Sequence, residues 1–148
     1  MSNVIKAAYL SLNDANIDED TAGILGFLEA QPEVRTGKIG AIGYCMSGRF
    51  VTTAARSFPE HFACAASMYG TRLVTDEPDS PHLDLGGISA EMYYGFGTID
   101  QTTPPDYIKT FTECLDKAGV NYMMDIFDGV DHGYAFVERP VYNVAAAE

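Results

Sequence analysis

Three residues far apart in the chain have the types that acyl-transfer chemistry needs: Cys45, Asp100 and His132. A cysteine thiolate can attack a carbonyl, a histidine can move the proton, and a carboxylate can fix the histidine's tautomer and orientation. Cys45 ends the apolar run of "KIGAIGYCMSGRF", Asp100 sits in "GFGTIDQTTPP" and His132 in "DGVDHGYAF". Gly43 and Ser47 stand two residues before and two after Cys45, and Gly48 follows. A nucleophile elbow requires small residues there, because strand and helix pass close together on either side of the turn. An elbow would also put Cys45 at a helix N-terminus, where the dipole and free N–H groups favour a thiolate. The backbone N–H of Met46 would then face a developing oxyanion. Ser47 is the weaker nucleophile candidate, since its own flanks are Cys45 and Arg49. Gly40, Gly43 and Gly48 lack dinucleotide-binding spacing. Taken singly, each residue has a plainer reading: Cys45 a packed core thiol, Asp100 a loop carboxylate, His132 a surface histidine.

These residues can meet only if the right elements hold them. Asp18 to Gln31 reads as a helix capped by Asp18, with Ile24, Leu25, Phe27 and Leu28 as an apolar stripe and Pro32 as its stop. Ile39 to Tyr44 is a short, continuously apolar run, the pattern of a strand buried on both faces. Met46 to Ser57 returns to helical spacing, with Phe50, Val51, Ala54 and Ala55 on one side. Phe62 to Tyr69, Glu91 to Phe96 and Tyr122 to Phe127 are further strands, and 71–87 is loop. Thr103 to Gly119 is a helix with Thr103 as cap, two prolines in its first turn and Gly119 at a left-handed C-cap; Ile108, Phe111, Leu115 and Ala118 share a face. Strands alternating with helices predict right-handed crossovers and an α/β fold with a mostly parallel sheet of about four strands.

In such a sheet, ligands bind beyond the carboxyl ends of the strands. Cys45, Asp100 and His132 each follow the end of a predicted strand, so all three are expected on one edge. Their joint placement favours catalysis over the three plainer readings. Asp128 and Asp131 are rival acids close to His132. His61 precedes its strand and belongs at the opposite edge, and His82 lies in a polar loop. Cys64, inside a strand, and Cys114, inside a helix, read as small buried hydrophobes. Arg72, just past the second strand, is at the correct edge to hold an anionic group of a substrate.

Composition narrows the partners. The 148 residues carry 21 acidic and 9 basic side chains, a net charge of −12, so neither nucleic acid nor an anionic membrane surface is expected as a partner. No apolar run approaches the roughly 20 residues of a bilayer span. The N-terminus turns acidic early, without a signal-peptide layout. Three cysteines, odd in number and widely spaced, predict neither a disulfide framework nor a zinc site. Reduced thiols and a cytoplasmic location are the simplest expectation.

Together, "IGAIGYCMSGRF", "YYGFGTIDQTTPP" and "DHGYAFVERP" resemble the dienelactone hydrolase family of the α/β-hydrolase superfamily, from about Asp18 to the end of the chain. The resemblance implies Cys45 as nucleophile, Asp100 as orienting acid and His132 as base. It also implies hydrolysis of small-molecule lactones or esters through a thioester, without metal or organic cofactor. Ser47 stands where the family usually has glycine. The arginine that the dienelactone enzymes carry shortly after the histidine is replaced by Phe136, the nearest arginine being Arg139. The resemblance covers only the later part of the family's domain, so residues 1–148 are expected to form one partial domain. Its first strand becomes an exposed edge, and the loop supplying a second oxyanion donor is absent. "YNVAAAE" reads as the start of a closing helix. Little activity is therefore expected of the chain alone. The alternatives are a non-catalytic fragment, a half-domain that works only with a partner, or a redox-responsive thiol at Cys45.

Overall fold

The computed structural model describes residues 13–35 and 37–148 and, of the first twelve, Val4, Ala7, Tyr9 and Ser11. The reading of the N-terminal leader pattern therefore falls largely outside the described residues. Helix α1 spans Asp14–Glu29, strand β1 Ile39–Tyr44, helix α2 Met46–Ser57 and strand β2 Phe62–Met68. A 3-10 turn at Pro81–Leu83 interrupts the long loop before strand β3, Glu91–Gly97. Helix α3, Pro105–Ala118, strand β4, Tyr122–Phe127, and the short helix α4, Val144–Ala147, complete the order.

The four strands pair in parallel in the order β1-β2-β3-β4. Tyr44 lies opposite Met68, Met68 opposite Gly95, and Gly97 opposite Phe127, so the carboxyl ends of all four strands reach one edge together. One sheet face carries the main core. Ala65, Met92, Tyr94 and Phe96 pack there against Val51 and Ala55 of α2 and Ile108, Phe111 and Leu115 of α3. Each such large side chain, fully buried, stabilises the fold by roughly 1.5–3 kcal/mol. Gly119 ends α3 with φ of 70°, the left-handed conformation glycine adopts most easily.

Several expectations need correction. Helix α1 begins five residues earlier than the Asp18 cap implied: Asn13 is the cap, its side chain accepting the Asn16 N–H. The earlier start puts Asp14 inside the protein, where its carboxylate meets Arg49 at 2.8 Å and Arg56 at 3.0 Å. Arg49 also pairs with Asp79 at 2.9 Å, so these charges are buried in company rather than alone. The apolar stripe is rotated accordingly. Ile17 and Leu25 face inward, while Ile24 and Phe27 are 60% and 64% exposed. The α3 cap is also different: Pro104 occupies that position without a side-chain bond, and the buried Thr103 hydroxyl has no hydrogen-bond partner.

The second sheet face is largely open, contrary to a strand buried on both sides. Ile42 on β1 is 57% exposed, Met123 on β4 is exposed, and so is Cys64, which sequence placed in the core. Only toward the carboxyl edge is this face covered. There Tyr69, Val130, Tyr134 and Ala146 form a second small cluster against Tyr44, Cys45, Met68 and Phe127. Among the described residues β1 is one of the two edge strands, as the sequence led one to expect; β4 is the other.

Candidate active site

Cys45 lies between β1 and α2 with φ of 55° and ψ of −117°, a backbone conformation that ordinary L-residues avoid. Such a conformation costs on the order of 1–3 kcal/mol and persists only when its surroundings impose it. Here they do. The Cys45 N–H donates to the Met68 carbonyl at 3.0 Å, and the Cys45 carbonyl accepts from Gly48 at 3.1 Å and Thr71 at 3.0 Å. Ser47 contributes more than small size. Its hydroxyl accepts from the Tyr44 N–H at 2.8 Å and donates to the Tyr44 carbonyl at 2.9 Å, bracing the turn from inside.

Gly43 is fixed by close approach: a β-carbon there would overlap the Ser47 carbonyl, a backbone group that cannot swing aside. Gly43→Ala is expected to destabilise the protein by about 1–3 kcal/mol, read as a lower urea midpoint, and to disturb the elbow. Gly23→Ala, in open space on α1, should leave the midpoint unchanged or slightly raised.

Asp100 and His132 arrive on two loops stitched together. Thr98 after β3 donates its N–H to the Phe127 carbonyl at 3.0 Å, and the Ile99 N–H donates to the Val130 carbonyl at 3.2 Å. The Thr98 hydroxyl accepts from Gly129 at 2.8 Å and donates to Asp128 at 3.1 Å. This joint brings Asp100 and His132 together. His132 Nδ1 lies 2.8 Å from Asp100 Oδ2, and Asp100 is only 2% exposed. Asp100 Oδ1 accepts from both the N–H and the hydroxyl of Thr102, at 2.8 and 2.6 Å. The rival acids are engaged elsewhere, Asp128 with Thr98 and Asp131 with the backbone N–H of His132 itself at 2.6 Å.

The His132 imidazole is also the largest influence on the Cys45 thiol. It draws the thiol below its ordinary value, against the burial that pushes it up; the positive charge of His132, the Met46 N–H and Arg139 add to the lowering. Hydrogen bonds to Asp100 first, and then to Cys45, raise His132 to about 9. Burial pushes the Asp100 carboxyl up, but the bonds from His132 and Thr102 outweigh it and leave it lowered. The thiol and the carboxyl are thus drawn down and the imidazole up. Tyr69, itself at φ of 41° and buried, sets its ring edge-on to His132 at 4.9 Å and closes one side of the site.

All three sequence-predicted residues thus come to one edge, and the Met46 N–H adds to the lowering of the Cys45 thiol. Arg72 lines a small cleft with Met46, but its guanidinium is already engaged: it donates to the Tyr9 carbonyl at 3.3 Å and lies over the Tyr9 ring. His61 is at the far edge beside Glu29, and His82 bonds Ser80. Sequence reasoning missed Thr102, although Asp-Gln-Thr is a recognisable side-chain-to-backbone turn. It also gave Arg139 no role, yet that side chain packs at Gly133, and its charge reaches both Cys45 and Tyr69. Among the described residues, no helix is long and apolar enough to cross a membrane.

Comparison with known proteins gives a consistent answer. The family model described as the dienelactone hydrolase family matches residues 4–148. A Synechocystis protein named "Putative carboxymethylenebutenolidase" is 30% identical over 140 residues, covering 91% of this chain and 55% of the relative. The mouse "Carboxymethylenebutenolidase homolog" is 25% identical over 130 residues, covering 87% of this chain and 49% of its own length. The chain therefore spans about half the length of these curated relatives. A Klebsiella pneumoniae crystal structure described as a "Putative Dienelactone Hydrolase" superposes with a TM-score of 0.82 at 20% identity, over 93% of this chain and 57% of that one. At that identity it speaks for the fold, an α/β-hydrolase sheet with flanking helices.

Proposed function

This chain belongs to the dienelactone hydrolase family, and from that membership we propose that it hydrolyses carboxylic esters or lactones through a Cys45–His132–Asp100 triad. The observation that carries the proposal is the arrangement itself: His132 meets Asp100 through Nδ1 at 2.8 Å, and the same imidazole is the strongest influence on the Cys45 thiol at the turn.

In this reading the Cys45 thiolate attacks the carbonyl carbon. A C–S bond forms, and the carbonyl π electrons move to oxygen, which the Met46 N–H stabilises. Collapse expels the alkoxide or enolate, which takes the proton from His132 Nε2; in a lactone it stays tethered to the acyl group. The now neutral His132 draws a proton from water as the oxygen attacks the thioester. The thiolate leaves, the carboxylic acid is released, and the proton on His132 restores the ion pair. Arg72, beside Met46, would meet an anionic end of the substrate only by exchanging its contacts with Tyr9 for the anion. Three free thiols and a charge of −12 fit a cytoplasmic protein whose partners are small molecules rather than nucleic acid.

One observation favours a second reading. The open sheet face with Ile42 and Met123 suits a half-domain that reaches full activity only when another polypeptide covers it.

Alkylation by iodoacetamide tests the triad without needing turnover. A thiol whose pKa is lowered stays ionised at lower pH, so the alkylation rate should fall only well below the ordinary value of 9.0. His132→Ala should move that limb back up towards 9.0. A wild-type limb already at the ordinary value would refute the paired thiolate. At the alkaline end, acylation should decline as pH rises through about 9, where His132 loses the proton that the leaving group needs.

A further inference from the structure

The Thr102 hydroxyl touches both members of the acid–base pair, lying 2.6 Å from Asp100 Oδ1 and 3.1 Å from His132 Nδ1. A hydroxyl has one proton to give. At 2.6 Å from an ionised carboxylate, that proton belongs to Asp100, as a short charge-assisted bond. The hydroxyl can then only accept from the ring, so the Nδ1–H is shared between Asp100 Oδ2 at 2.8 Å and Thr102 Oγ1 at 3.1 Å. Asp100 Oδ1 is thereby occupied twice from Thr102, by N–H and O–H, and Oδ2 alone is left for the imidazole.

We infer that Thr102 is a positioning residue: its hydroxyl keeps Asp100 ionised and fixes which carboxylate oxygen holds His132. The inference rests on the triad reading above. A bond to the charged form of a carboxyl lowers its pKa, so removing the hydroxyl raises the pH at which Asp100 protonates. It also frees the carboxylate to rotate, which weakens the hold on the ring during deacylation, when neutral His132 must point Nε2 at water. Thr102 is exposed, so an isosteric change there removes the hydroxyl while leaving the core and the backbone N–H bond in place.

The test uses Thr102→Val and Thr102→Ser, each also combined with Cys45→Ala. In the Cys45→Ala background, carbon-13 NMR of the aspartate carboxyls reads the Asp100 titration directly. Thr102→Val should raise it by about one pH unit, the size of one charge-assisted hydrogen bond, and Thr102→Ser should restore it. With Cys45 present, Thr102→Val should lower kcat about tenfold with KM within about twofold, and Thr102→Ser should recover kcat. An Asp100 titration unmoved by Thr102→Val, or a serine variant that behaves as valine does, overturns the inference. The titration is measured without the thiol, so it decides the role of Thr102 even if Cys45 proves not to be the nucleophile. Failure of the nucleophile reading would show separately, as hydrolysis that survives Cys45→Ala alone.

Discussion

Cys45→Ala is expected to bring p-nitrophenyl acetate hydrolysis, already slow in the chain alone, down to the uncatalysed rate. The loss follows from the geometry. Cys45 is the only cysteine held at the elbow, in a left-handed backbone conformation that nothing but the turn requires. Cys64, exposed on the sheet face, and Cys114 on α3 are far from the edge where His132 and Asp100 meet. Neither can take over. Alanine keeps the φ-strained position about as well as cysteine does, so circular dichroism and the urea midpoint should change little. Cys45→Ser should also be severely impaired, because the same imidazole–carboxylate pair does not ionise an alcohol as it ionises a thiol. Comparing initial rates of p-nitrophenol release, with each variant's fold checked, measures both effects.

Asp100→Asn is expected to cost about 10⁴ in kcat, the scale reached when the acid of a triad becomes an amide. The carboxylate is almost fully buried, with Oδ2 on His132 Nδ1 and Oδ1 saturated by Thr102. An asparagine oxygen that stays with the Thr102 donors leaves the amide NH₂ facing Nδ1. The ring must then accept there and carry its proton on Nε2, between the imidazole and the sulfur. The thiol loses its base, and His132 loses the bond that does most to raise it to about 9. The iodoacetamide profile of Asp100→Asn should therefore move up in pH along with the loss of kcat. A variant that loses kcat while keeping the wild-type alkylation profile would place Asp100 outside the triad.

Much of this architecture could be read from residue order. β1, α2 and β4 begin and end where the apolar runs do, and the carboxyl-edge rule placed Cys45, Asp100 and His132 together before any coordinates. The failures share a cause. Local pattern sees one face of a segment at a time, whereas burial depends on what else is present. The Ile24 and Phe27 stripe and the apolar β1 strand both looked buried, because apolar residues are normally covered; here α1 packs mainly on α2, and one sheet face is open away from the carboxyl edge. The helix start moved from Asp18 to Asn13 because Asp14 is needed by Arg49 and Arg56, partners 35 and more residues away. Thr102 escapes notice in the sequence, and Ser47 is read there only for its small size, because their contribution is a hydroxyl in the right place, and spacing says nothing about where a hydroxyl points.

The most direct test of the central claim is to catch the acyl group. The protein would be mixed with p-nitrophenyl acetate, quenched in acid during turnover, digested, and analysed by mass spectrometry. The account predicts an acetyl group on the peptide that carries Cys45, released by hydroxylamine as a thioester should be and missing in Cys45→Ala. Hydrolysis that proceeds with Cys45 unacylated, or with a stable acetyl group on a serine or tyrosine instead, would contradict it.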